Sequence, residues 1–168
     1  MGDLKNLFGQ DAVKKLKEIA EHTNICMFCT QNDGLPFPTR PMGTQEVDEE
    51  GNFWFFSGRE SNKNKELRQD DTVQLIYANV PKSEYLSVTG HVDVYTDHAK
   101  VEELWNGVMK AWFKEGKDDP NLTLIRVRPT DSYYWDTKDG KIMSMLKITV
   151  SAITGTSFDG GVEGNANV

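Results

Sequence analysis

The feature that most constrains this fold is a pair of long extended segments that each contain a residue unsuited to regular pairing. Residues 84–96 (EYLSVTGHVDVYT) have Gly90 in their middle, and residues 122–136 (LTLIRVRPTDSYYWD) contain Pro129. A glycine inside a strand predicts a bulge or a bend, as at the corner of a barrel, and a proline predicts an edge or a bulge. These two segments predict a mainly β chain whose strands curve.

Shorter elements complete the pattern. Apolar residues recur at helical spacing in residues 10–22 (QDAVKKLKEIAEH), which predicts a leading amphipathic helix. Further strands are predicted over residues 25–47 (strand, turn, strand), 52–57 and 72–79. The turn in the first of these is predicted at Asn32-Asp33-Gly34, because Asp-Gly tolerates positive φ. Short helices are predicted at 61–69, capped by Ser61, and at 97–113, capped by Asp97 and interrupted at Gly107.

Together these elements predict a mainly β (α+β) fold, a small antiparallel barrel with a leading helix and short helices between the strands. A hydrophobic content of 38% is enough for one core. We expect a single domain over residues 1–153. Residues 141–155 (KIMSMLKITVSAITG) fit a helix face slightly better than a strand, and the polar, glycine-rich residues 154–168 are expected to be a flexible tail.

Charge excludes several classes of partner. The formal net charge is -7, which argues against binding to nucleic acid or to an anionic membrane. No apolar run approaches the roughly 20 residues that span a bilayer. The N-terminal residues are charged throughout and do not resemble a signal peptide, so we expect a cytoplasmic protein.

The cysteines and histidines do not predict a metal or redox centre. Cys26 and Cys29 form a C-x-x-C pattern inside an apolar, strand-like run, whereas a thioredoxin-type motif lies where a strand meets a helix. His22, His91 and His98 are scattered along the chain. We therefore expect buried or half-buried thiols and no metal site.

The stretch FFSGRESNKNKEL (55–67) predicts a strand-to-helix corner with unusual chemistry. A helix N-terminus presents unpaired N–H groups and the positive end of a dipole. Ser61 lies at that point, and Lys63 in the first turn opposes the dipole unless an anion lies between them. Gly58 and Arg59 approach from the strand. The corner is typical of a phosphate site, and the alternative is an ordinary capped surface helix.

Two other stretches carry side chains that require partners. Arg40 lies in TRPM (39–42) among apolar neighbours, so it requires an anionic or planar partner, and Pro41 lacks a backbone donor. The aromatic run SYYWD (132–136) is typical of core or interface packing, or of one wall of a slot for a flat heterocycle.

These motifs together resemble one family. TRPM (39–42), NFWFFSGRESNK (52–63), the strand EYLSVTGHVDV and PTDSYYWD (129–136) resemble, in matching order over residues 10–153, the pyridoxamine 5'-phosphate oxidase-like flavin-binding split barrels. The resemblance is to their general stress protein 26-like branch. It implies a six-stranded split barrel that forms a homodimer and binds FMN in two equivalent sites at the dimer interface, so residues 1–153 would be one FMN-binding domain.

The resemblance also implies roles for individual residues. Arg40, Pro41 and Met42 would border the flavin ring, and Trp135 of the partner subunit would cover it. Ser57 would contact the flavin or its ribityl chain, and Ser61 and Lys63 would hold the phosphate. Phe56 and Asn62 complete the implied cofactor-binding set. Three further tryptophans are compatible with an interface: Trp54, Trp105 and Trp112.

The chain departs from the oxidase itself at several positions. Gln45 and Asn62 stand where the oxidase has a lysine and an arginine, Tyr85 stands where it has a flavin-contacting glutamine, and DTKDGKIM replaces its arginine-rich segment. The resemblance therefore does not extend to oxidation of pyridoxamine 5'-phosphate. No catalytic residue is assigned. One hypothesis is a flavin-dependent oxidoreductase acting with a nicotinamide donor, a quinone or another small oxidant.

Two other hypotheses stay open at this point. In the first, the protein is a stress protein that binds flavin without turnover, as a reservoir, a sensor or an interaction partner. In the second, the same barrel binds a different ligand, such as haem or a deazaflavin. Haem would require an axial histidine, and none of the histidines lies near the corner at residues 55–67.

Overall fold

The computed structural model describes residues 3–31, 34–137 and 161–168. Its strands are β1 (Asp3–Leu4), β2 (Leu7–Phe8), β3 (Ile25–Thr30), β4 (Thr39–Gly43), β5 (Glu46–Val47), β6 (Phe53–Gly58), β7 (Thr72–Asn79), β8 (Glu84–Tyr95), β9 (Leu122–Thr137) and β10 (Gly161–Asn167). The α-helices are α1 (Gly9–Thr23), α2 (Asn62–Leu67) and α3 (His98–Leu104), and two 3-10 turns follow α3 at Gly107–Ala111 and Gly116–Asp118.

The strands form one mixed sheet. Its main path runs β1-β10-β9-β8-β7-β3-β4, and β6 pairs with β9 beside that path and with the short β5. All pairs are antiparallel except those that β1 and β2 make with β10. The predicted mainly β class is confirmed. The described residues hold ten strands, because β1, β2, β5 and β10 add to those expected from the sequence.

Helix α1 covers the main core. Its buried stripe consists of Ala12, Val13, Leu16, Ile19 and Ala20, which recur at helical spacing, so the predicted amphipathic helix is confirmed. The stripe packs on inward-facing side chains of the sheet, among which Phe28 and Phe55 meet edge to face at 5.4 Å between ring centroids.

The end strand β4 and the side strand β6 approach each other near Gln45 and then part. The main chain of Gln45 donates a 2.8 Å hydrogen bond to the carbonyl oxygen of Trp54. Beyond it β5 pairs with β6, whereas β4 pairs with β3 on its other edge. No ladder joins β4 to β6 in the described ranges, which leaves an opening between these two strands.

The predicted irregularity in the long strands is confirmed. The register of β8 on β9 shifts between Thr89 and Gly90, and Gly90 lies opposite Pro129. A Cβ atom on Gly90 would lie 2.4 Å from the carbonyl oxygen of Arg128. The close approach of the two backbones therefore requires glycine at this point.

The prediction of a flexible tail is wrong for residues 161–167. They form β10, which pairs along β9 and buries Ala166. A glycine-rich composition indicates coil locally, but the edge of β9 offers backbone partners that the composition cannot reveal. Residues 154–160, the region 141–155 and most of the Asn32-Asp33-Gly34 turn lie outside the described residues. No helix among those described is long and apolar enough to cross a membrane.

We expect Gly90→Ala to lower the free energy of unfolding by about 1–3 kcal/mol, because the added methyl group would overlap the backbone of β9. Gly107→Ala is the matched control, since a Cβ there would meet nothing within 4 Å. Urea unfolding of both variants checks the prediction. Equal midpoints for the two variants would contradict it.

Candidate functional site

A pocket of about 530 Å³ opens where β4 and β6 diverge. Strands β4 and β6 contribute residues from the two sides of this opening, and the segment after α3 forms a third side of the pocket. The lining residues are Ile25, Pro41, Met42, Gly43, Gln45, Phe56, Ser57, Gly58, Lys63, Met109, Trp112, Phe113 and Asn121. Five residues expected at a cofactor site therefore meet in one cavity: Pro41, Met42, Phe56, Ser57 and Lys63.

The corner between β6 and α2 forms as the sequence predicts. Ser61 has an extended backbone with φ -64° and ψ 150°, and its Oγ accepts a 3.2 Å hydrogen bond from the N–H of Asn64. A serine in this conformation satisfies one of the orphan donors at the start of a helix. The helix therefore begins directly beyond the end of β6, which brings Lys63 back beside Ser57.

A buried polar network fixes the position of Ser57. Its hydroxyl donates to Asn64 Oδ1 at 2.6 Å, the amide of Asn64 donates to Thr123 Oγ1 at 3.0 Å, and Thr123 donates to the Ser57 carbonyl at 2.9 Å. All three residues are buried. Because the Ser57 proton is committed to Asn64, its oxygen lone pairs face Lys63 as acceptors. Asn64 and Thr123 were not predicted from the sequence, since neither belongs to a recognisable motif.

Lys63 is a buried cation. Its residue is only 8% exposed, and its Nζ donates to Ser57 Oγ and, at 3.5 Å, to Ser61 Oγ. Burial, and after it the positive charge of Arg40, lower the pKa of the ammonium group to about 8, although Glu66 opposes the shift. Within the described part of the chain no carboxylate forms an ion pair with it. An anion in the pocket would supply the missing charge.

Arg40 has its anionic partner within the protein. Its guanidinium contacts Glu66 Oε2 at 2.6 Å and donates to Thr30 Oγ1 at 2.7 Å, and Thr30 in turn donates to Glu66 at 2.6 Å. The side chain does not belong to the pocket lining. The pair instead ties α2, which carries Lys63, to β3 and β4.

Three other candidate residues, Asn62, Arg59 and Trp135, do not line the pocket. Asn62 is the exposed first residue of α2. Arg59 points away from the corner, because its guanidinium donates to the Pro120 carbonyl at 2.9 Å and to Thr96 at 3.2 Å. Trp135 lies on β9, 42% exposed, with its ring 4.7 Å from that of Tyr133. A role for Trp135 at a cofactor therefore requires a second chain.

The cysteines are buried and free, as expected. Burial raises the pKa of the Cys26 thiol to about 12, so it is protonated at neutral pH and unreactive. Neither cysteine lines the pocket.

Another cluster has metal-ligating side chains. Ligand atoms of Glu18, His22 and Glu84 lie within 4.8 Å of one another. His22 Nδ1 lies 2.9 Å from Glu84 Oε2, and Glu18 is engaged by Lys15 at 2.8 Å. The group could hold a metal ion, and it contributes nothing to the pocket lining. The His22–Glu84 contact fastens α1 to the start of β8, whereas the Lys15–Glu18 pair lies within α1.

A sequence model of the family described as pyridoxamine 5'-phosphate oxidase like matches residues 11–159, which include most of α1 and the whole described lining of the pocket. The chain belongs to this family. Among curated members, General stress protein 26 of Bacillus subtilis is 23% identical over 126 residues, which are 73% of this chain and 86% of that protein. Protein bli-3 of Neurospora crassa is 26% identical over 109 residues, or 60% of this chain, and the match spans about half (52%) of its own length.

Solved structures of similar proteins share the architecture. A candidate general stress protein 26 from Jannaschia sp. CCS1 covers 92% of this chain and 94% of its own, with a TM-score of 0.75 and 21% identity, which shows the fold. The general stress FMN/FAD binding protein of Xanthomonas citri covers 76% of this chain and 87% of its own, with a TM-score of 0.62 and 26% identity. The predicted family and its general stress protein 26 branch are thus confirmed.

We expect Lys63→Met to stabilise the protein without bound ligand by about 1–3 kcal/mol at pH 7. The substitution replaces a buried ammonium group that has no carboxylate partner with an apolar chain of similar length. The lowered pKa means that the unfolded chain binds this proton more tightly than the folded chain. The wild-type stability should therefore rise between pH of about 8 and 10.5, and the advantage of the variant should shrink over that range.

Urea unfolding of both proteins at several pH values measures this difference. Lys65→Met, on the exposed side of the same helix, is the matched control. A variant less stable than the wild type at pH 7 would mean that Lys63 has a stabilising partner.

Proposed function

We propose that this protein binds FMN in the pocket between β4 and β6 and acts as a flavin-dependent oxidoreductase. The observation that carries the proposal is the Lys63 ammonium group, buried at the end of an otherwise uncharged pocket with only hydroxyl partners. The Xanthomonas citri relative is an FMN/FAD binding protein, and a family structure from Nostoc punctiforme is FMN binding. These relatives support the choice of a flavin.

The phosphate end of the cofactor would lie at Lys63. A phosphate monoester carries up to two negative charges, which would pair with the ammonium group and accept a hydrogen bond from the Ser61 hydroxyl. The Ser57 oxygen, whose proton goes to Asn64, would accept a hydrogen bond from a ribityl hydroxyl instead. We propose that Asn62, exposed at the start of α2, reaches the outer phosphate oxygens. Arg40 would act through Glu66, because their ion pair holds α2 against β4.

The ring end would lie along the opposite strand. Pro41 and Met42 present an apolar edge of β4 to the pocket, and Phe56 faces them from β6. A flavin supplies hydride and electron transfer when it is bound, and the protein supplies its binding and surroundings. Apart from Lys63, which the phosphate would occupy, no side chain of the described lining is an obvious acid or base, so the chain's task would be to orient the ring and exclude water from it.

A homodimer would complete the site. Met27 on β3 and Ile76 on β7 lie directly opposite each other and are both about two-fifths exposed, at 41% and 40%. On the same face of the sheet, Tyr85 lies opposite Trp135. We propose that a second copy of the chain covers this apolar row. Its Trp135 would then reach the ring of a flavin bound to the first chain.

Binding without turnover, as a reservoir or a sensor, is the alternative function. The replacement of the oxidase's substrate residues, such as Gln45 for lysine, motivates it. Assays of NADH and NADPH oxidation with several acceptors separate the two functions. Robust turnover by the FMN-loaded protein would exclude the alternative.

We expect purified protein to retain about one FMN per chain after excess FMN has been removed, as measured by absorption. The double variant Ser61→Ala with Lys63→Met should lose about ten- to hundredfold in FMN affinity for each charge-assisted contact removed, and riboflavin affinity should change by less than about threefold. Riboflavin is the matched ligand because it lacks only the phosphate. Equal losses for both ligands would mean that the phosphate is bound elsewhere.

The same titrations have a pH signature. Because the pKa of Lys63 is about 8 before the phosphate binds, wild-type FMN affinity should fall as the pH rises above that value and the ammonium group loses its charge. Riboflavin affinity and the Lys63→Met variant should show no such step. A step that persists in the variant would assign the titration to another group.

The dimer is tested by placing a charge on the apolar row. Ile76→Glu should convert a dimer into monomers in sedimentation velocity and lower FMN affinity, because the partner's Trp135 is removed from the site. Val80→Glu, equally apolar and 69% exposed in the turn after β7, should leave both properties unchanged. Wild-type monomers that bind FMN tightly would contradict the proposed dimer.

A further inference from the structure

The segment between β8 and β9 forms one wall of the pocket and is firmly seated. Val101 and Phe113 are buried in a second apolar cluster with Phe56, Leu122 and Leu124. Phe56 meets the ring of Trp105 at 5.9 Å and the ring of Phe113 at 6.3 Å, in edge-to-face geometry. These contacts fix the wall against β6 and β9.

The wall is also tied to the opposite side of the opening. The amide of Asn106 donates a 3.1 Å hydrogen bond to Gln45 Oε1, just after β4. The carbonyl oxygen of the same Asn106 side chain accepts from the N–H of Val108 at 3.2 Å and starts the 3-10 turn. The turn therefore bridges the mouth of the pocket between β4 and β6.

Trp112 follows this turn and is held in an exposed position. Its indole lines the pocket, yet the residue is 67% exposed, whereas its neighbour Phe113 is 4% exposed. The Trp112 N–H donates to the Met109 carbonyl at 3.0 Å, so the backbone is ordered at this point. An exposed aromatic ring on an ordered backbone at a pocket mouth is suited to stacking on a flat ligand.

The charges of the lining restrict what that ligand can be. Among the described residues that line the pocket, Lys63 is the only charged one, and the proposed FMN phosphate would use it. A dinucleotide such as NADPH would bring further phosphates, and the described lining offers no second cation to receive them inside the pocket. The remaining polar side chains of the described lining include the amides of Gln45 and Asn121. The Asn121 Nδ2 donor has no acceptor among the residues that the structure describes, since only the Asn121 oxygen is engaged, by the Glu60 N–H.

We infer that the second ligand of this pocket is an uncharged, planar aromatic compound of the quinone class, and that Trp112 stacks on it. The inference rests on the proposed function, because it assigns to FMN the single cation of the lining. A quinone has two flat faces for the indole and carbonyl oxygens that accept hydrogen bonds from an amide such as that of Asn121.

The test measures binding of menadione to the oxidised, FMN-loaded protein by isothermal titration calorimetry, so that no turnover occurs. Trp112→Ala should weaken menadione binding about tenfold, and Trp112→Phe should restore it to within about threefold, because phenylalanine keeps a stacking face. Val108→Ala is the matched control, since Val108 is 66% exposed in the same turn and does not line the pocket. FMN affinity should be the same in all four proteins.

Three results would overturn the inference. The first is equal menadione affinity in wild type and Trp112→Ala, and the second is NADPH binding tighter than menadione binding. The third is a tenfold loss of FMN affinity in Trp112→Ala, which would assign the indole to the flavin itself. If the wild-type protein binds no FMN, the proposed function fails first, and the inference fails with it.

Discussion

One main-chain hydrogen bond, from Gln45 to the carbonyl oxygen of Trp54, ties the chain that follows β4 to β6 at the point where the two strands part. On one side of it the short β5 continues the pairing with β6, and on the other side β4 remains with β3. The pocket is the direct result, because it occupies the space where a ladder between β4 and β6 would otherwise run. A site built from strand edges and anchored helices is held more precisely than one built from loops alone.

Burying the charge of Lys63 in the site costs electrostatic free energy. A lysine that has lost most of its hydration and has gained only hydroxyl oxygens holds its charge less easily than a lysine in water. The surrounding network of Ser57, Asn64 and Thr123 cannot neutralise it, because its members are uncharged. The Arg40–Glu66 pair keeps the helix in place without neutralising Lys63. The fold thus tolerates an unpaired cation at one point, as expected where binding rather than stability sets the residue.

Much of this could be predicted from the sequence because the signals are local. The buried stripe of α1, the Ser61 cap and the Gly90 irregularity each depend on neighbouring residues, and each is confirmed. The sequence could not reveal contacts made across the sheet. From the sequence, Trp54 is compatible with an interface, yet the structure buries it, and its Nε1 donates to Asp48 at 2.8 Å. The partner of Arg40 likewise lies on another element, and β10 has the composition of a loop.

The pairing of β10 has a consequence for how the chain is made. Among the described residues, β1 and β2 pair with β10 alone, and Leu7 and Val162 pack together against the main core. Because β1 and β2 are synthesised before β10, they cannot pair until β10 has been made. Until then the apolar edge beside α1 stays uncovered, and closing it joins residues that lie more than 150 positions apart in the sequence. This edge is where we expect a newly made chain to be most exposed to aggregation or to a chaperone.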